Sequence, residues 1–115
     1  MKDYAAIRQR YLRDDLPVRL GGLAANLRRI KLAANRDENR ATVEGLLDES
    51  KYFIEWTAAE ADIDKAAELV ELQIQLARWQ YKWTEIWSDP VRRHEMVEQS
   101  VRWSDRLLEL SGLME

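Results

Sequence analysis

Residues 69–87 read Leu69-Val70-Glu71-Leu72-Gln73-Ile74-Gln75-Leu76-Ala77-Arg78-Trp79-Gln80-Tyr81-Lys82-Trp83-Thr84-Glu85-Ile86-Trp87. At 100° per residue, Leu69, Leu72, Leu76, Trp79, Trp83, Ile86 and Trp87 share one stripe, the mark of an α-helix with a buried face. Val70, Ile74, Ala77 and Tyr81 form a second apolar strip, separated from the first by Gln73, Gln80 and Thr84. Glu71, Gln75, Arg78, Lys82 and Glu85 complete the circumference, which should face water. A helix apolar on two sides needs two covers. Its own chain supplies one, and the other is either a further helix of the same chain or a second subunit.

The flanks of this helix are punctuated in the same way. Asp89-Pro90 supplies an N-cap and a first-turn proline for a helix over 90–111, which Ser111-Gly112 closes. Asp62 is the expected N-cap of the helix over 62–88, because one helix from 38 to 88 would be far longer than globular helices are. Upstream, Asp37 is read as the cap of a helix over 38–60, whose Val43, Leu46, Leu47, Ser50, Phe53, Ile54 and Thr57 keep helical spacing. Asp14-Asp15-Leu16-Pro17 separates a helix over 3–13 from one over 17–35, since proline disfavours helical geometry in the preceding residue but is tolerated in a first turn. There is no internal repeat, no low-complexity tract and no alternation of the β type. The expectation is an all-α fold: a single domain over 1–115, built as a bundle of about five antiparallel helices.

A chain of 115 residues can remove roughly two-thirds of its extended surface from water, enough for a core without staples. It has no cysteine, so disulfides, thiolate metal sites and thiol nucleophiles are excluded. No stretch approaches the ~20 apolar residues that cross a bilayer, and the first residues lack the apolar run of a secretion signal. The expected location is therefore the cytoplasm, with no membrane contact. The net charge of −3 conceals an asymmetry: residues 1–36 carry nine Lys/Arg against three Asp/Glu, and residues 37–71 carry three against eleven. The simplest reading is a basic helix beside an acidic one.

Catalytic signatures are lacking. Di-iron bundles need paired Glu-x-x-His motifs, and the single histidine, His94, has Val91 three residues before it. Glu60, Asp64, Glu68 and Glu71 have the spacing of clustered carboxylates that a magnesium-dependent, α-helical nucleotide pyrophosphatase would use, but they equally continue a solvated face. Ser50, Ser100 and Ser104 lie on buried arcs, where a hydroxyl bonds back to a carbonyl one turn earlier. Gly21-Gly22 has no strand before it and no phosphate-loop pattern around it. Arg19, Asn26, Arg29 and Arg36 share the polar face of the second helix, which could meet phosphates, although the acidic net charge opposes nucleic-acid binding. No catalytic, metal or cofactor-binding residue is expected.

Five tryptophans and four tyrosines are many for so small a core. Tyr52 and Trp56 lie off the core arc of the third helix. Gly21 and Ala25 form a flat strip on the second, where two mid-helix glycines suggest close approach of a neighbour. With Val70, Ile74 and Tyr81 these are the candidate interface residues, and their excess over what one monomer buries predicts a homodimer. The expected function is a non-enzymatic, self-associating intracellular interaction or regulatory module. The alternatives are a divalent-metal enzyme using the carboxylates and a nucleic-acid-associated protein using the basic helix.

Overall fold

Aspartates start four of the helices in the computed structural model, which describes residues 3–112; the outermost ends of the expected 1–115 domain lie outside them. Asp3 accepts from the amide of Ala6 and begins α1 (Tyr4–Leu12), and Asp15 accepts from Val18 and begins α2 (Leu16–Ala33). Asp62 accepts from Lys65 at 2.9 Å and begins α4 (Ile63–Tyr81). Asp89 accepts from Val91 at 3.0 Å and, with Pro90 in the first turn, begins α6 (Pro90–Ser111). Each carboxylate satisfies one of the amides that a helix start leaves without a partner. Gly112 closes α6 with φ 73°, a left-handed conformation that costs glycine nothing.

Two boundaries differ from the sequence reading. Asp37 does not cap the third long helix. It opens a short 3-10 turn (Asp37–Asn39), α3 (Arg40–Ala58) begins behind Asn39 without a side-chain cap, and the Asp37 carboxylate instead accepts from Arg93 at 2.7 Å. The helix expected over 62–88 is two: α4 stops at Tyr81, Lys82 takes φ −100° and ψ 21°, and α5 (Trp83–Ser88) follows. The cause is tertiary. α4 lies against α3, whereas α5 lies against α6, and the change of direction at Lys82 lets one apolar stripe serve both neighbours. The described residues therefore hold six α-helices, where five were expected, and no strand.

The most extensive helix contact joins α2 to α6, and α3 flanks α2. Leu20, Leu23, Leu27 and Ile30 of α2 are fully buried, as are Val43, Leu47 and Ile54 of α3 and Leu69, Leu72 and Leu76 of α4. Each such aliphatic side chain contributes about 2 kcal/mol through removal from water. Small residues bring the central pair close: Ser104 Oγ of α6 donates to the carbonyl of Ala24 in α2 at 2.9 Å. Ser100 bonds back to Met96 one turn earlier, as expected, while Ser50 Oγ is buried with no hydrogen-bond partner. Among the described residues no helix is long and apolar enough to cross a membrane.

Candidate interaction surface

The two faces of α4 have opposite fates. Leu69, Leu72, Leu76 and Trp79 enter the core, and Trp83, Ile86 and Trp87 continue it along α5, so the tryptophan ladder is core. Trp83 and Trp87 pack with ring centroids 5.3 Å apart, and the Arg93 guanidinium sits over the Trp87 ring at 4.0 Å. The second strip is uncovered. Val70 is 48% exposed, Ile74 47% and Tyr81 84%, and the strip extends to Ile63 at 86%. Ala67 and Ala77, between them, are also exposed. Apolar residues scattered singly are ordinary on a surface; these instead form a row along one face of a single helix.

The remaining candidates are placed differently. Tyr52 and Trp56 are half-buried against α1: the Tyr4 ring lies 4.3 Å from that of Tyr52, and the Tyr11 ring lies 5.9 Å from that of Trp56. Gly21 and Ala25 are half-buried on α2. A Cβ at the adjacent Gly22 would meet the Tyr11 ring at 3.8 Å, an ordinary contact, so no close approach requires glycine there. Of the seven candidates, only Val70, Ile74 and Tyr81 form one open surface. Sequence reasoning missed Ile63 and Ala67, which continue it toward the start of α4; their signal was the same helical phase, extended by two positions.

Several residues weighed for chemistry are tied to other partners. Glu60 forms an ion pair with Arg19 of α2, and Glu68 accepts from Arg106 of α6 at 2.6 and 2.8 Å, so these two carboxylates are held by different helices. The pairing raises the Arg106 pKa further, through hydrogen bonds to Glu68 and then Glu109. Among the described residues no group of three or more His, Asp or Glu is placed to hold a metal ion. His94 is exposed and pairs with Glu98 one turn along, at 2.9 Å. On α2, Arg19 and Asn26 of the polar face are both buried, and the helix lies beside the acidic α3. Arg19 also donates to the carbonyl of Asp14 at 2.8 Å, and Asn26 donates to Glu49 at 3.0 Å. Arg28 pairs with Asp105, and Arg29 donates to Asn26. Lys31 of the same helix and Arg36 beyond its end stay exposed, Arg36 paired among the described residues only with Glu38 at 3.7 Å.

An open furrow of about 420 Å³ runs between α4 and α6, lined by Glu68, Gln75, Gln99, Arg102, Trp103 and Arg106. It is shallow and mixed in charge, with Glu68 and Arg106 closing on each other across it. No protein-family model, curated protein or solved structure matches this chain.

Proposed function

We propose that the chain is a non-enzymatic interaction module of the cytoplasm that works as a homodimer, its main helices forming an antiparallel bundle. Counting α5 as a bent extension of α4 leaves five principal rods, which supports the bundle description. The observation that carries the interaction reading is the row on α4: Ile63, Val70, Ile74 and Tyr81 are all about half exposed or more, on a helix whose other apolar face is already buried. Glu60, Glu68, Arg19 and Arg28, on which an enzyme or a nucleic-acid binder would draw, are engaged in ion pairs within the chain instead.

The test is mass in solution. Light scattering behind size-exclusion chromatography at about 100 µM is expected to give twice the 13.6 kDa chain mass. Ile74→Glu, placed at an exposed position, is expected to give a monomer with unchanged helical circular dichroism, because a charge desolvated in the contact has no partner. A wild-type protein that elutes as a monomer at that concentration overturns the dimer.

A further inference from the structure

Ile63, Ala67, Val70, Ile74, Ala77 and Tyr81 are separated by alternating steps of four and three residues. That is the step pattern of the a and d positions of a heptad repeat, sustained here for two and a half repeats and about 27 Å of helix. All six residues are exposed. The chain's own core uses the opposite side of α4, so the seam packs against no other described element. A 3.5-residue period is what one helix needs to stay in register along another.

We infer that the seam is occupied by α4 of a second copy, running antiparallel about a twofold axis beside Leu72. The inference rests on the reading of the chain as a homodimer and specifies its geometry. Residues equidistant from position 72 then meet: Ile63 packs on Tyr81 of the second copy, Ala67 on Ala77, and Val70 on Ile74. Every layer is then apolar on both sides, so the register buries no polar side chain in the seam.

The charges select the same register. Flanking the seam, Asp64 falls beside Arg78 of the second copy, and the twofold axis makes this pair twice. Neither residue has a side-chain hydrogen bond or ion pair among the described residues, whereas Lys65, Glu68 and Lys82 on the same helix or its end are each paired within the chain. A parallel, in-register pair would set Ala66 beside Glu71 and Gln73 beside Arg78, with no opposite charges facing. In the antiparallel pair Glu71 faces its own copy across the axis. One helix pair is a small interface, which places the expected dissociation constant in the micromolar range.

The absence of cysteine makes the register directly readable. Ala67→Cys and Ala77→Cys are combined in one chain and also made singly, at exposed positions where the small side chain is nearly conserved in size. Under mild oxidation the double variant is expected to become a covalent dimer on a non-reducing gel, while each single variant stays a monomer. An intrachain bridge is excluded, because ten residues of helix separate the two sulfurs by about 15 Å. In parallel, Asp64→Arg is expected to raise the dimer dissociation constant about fivefold, and addition of Arg78→Asp to restore it. Single variants that link to themselves would overturn the antiparallel register. A wild-type dimer by mass whose double variant does not link would move the interface off this seam while leaving the dimer standing; a monomeric mass would remove both.

Discussion

Tyr11 ties three segments together through one phenol. Its hydroxyl donates to the carbonyl of Arg19 at 2.9 Å and accepts from Thr57 Oγ1 at 3.1 Å, while its ring stacks on Phe53 with centroids 4.1 Å apart. Tyr11→Phe leaves the buried Thr57 hydroxyl without its acceptor and removes the second bond to the Arg19 carbonyl, and is expected to lower stability by about 1–2 kcal/mol, measured by urea unfolding at pH 7. Burial also pushes the phenol up from 10.0 to about 12, against smaller opposing effects of Thr57 and Arg19. Folded Tyr11 thus keeps its proton where the unfolded phenol has lost it. Its stabilisation is whole below pH 10 and is lost as pH rises through about 12. The same unfolding series at pH 7, 10 and 11.5 is expected to show an alkaline loss that is shallower in Tyr11→Phe. Tyr4, raised to about 12 by burial and by Asp48, accounts for a residual slope. At this scale the sequence was a partial guide. Asp62 and Asp89 announce themselves as caps because a cap is a local arrangement. Arg19 and Asn26 look like surface residues because their burial depends on Glu60 and Glu49, more than twenty positions away.

Helices as units were legible wherever their ends are made by neighbours in sequence. The break at Lys82 was not, since Tyr81-Lys82-Trp83 contains no glycine or proline and the apolar stripe passes through it unaltered; the bend is set by which helix each half meets. The seam on α4 was legible in part, as Val70, Ile74, Ala77 and Tyr81, because a helical phase is visible without knowing what covers it. What sequence could not say was that α1 covers Tyr52 and Trp56 while no described element covers this strip. The start of α4 now has two duties. Asp62 caps it, and its first turn carries Ile63 and Asp64, both assigned to the dimer contact. Asp62→Ala is expected to cost about 1 kcal/mol of folding stability and also to weaken dimerisation, read by urea unfolding and by sedimentation equilibrium. Asp3→Ala, at the start of α1 and away from the seam, is expected to leave dimerisation unchanged.

At the scale of the molecule, the chain closes on itself by joining α2 to α6, and the bond from Ser104 to Ala24 spans 80 positions. The described chain is compact, with a radius of gyration of 13.8 Å, close to the ~13 Å typical of this length. A chain ending at residue 89 would leave Leu20, Leu23, Leu27 and Ile30 without their largest neighbour. It is expected to retain helical circular dichroism but lose its cooperative thermal transition, measured by the two signals in one melt. The long span also governs time. Helical proteins usually fold quickly because their contacts are local, yet here the central pairing must wait for a loop of some eighty residues to close, which places folding toward the slow end for this class. During synthesis, α2 leaves the ribosome several seconds before α6 at about 5–20 residues per second. For that interval its leucines have α3 but not α6 to shelter them, so apolar surface that α6 later covers stays open on the nascent chain until that helix emerges.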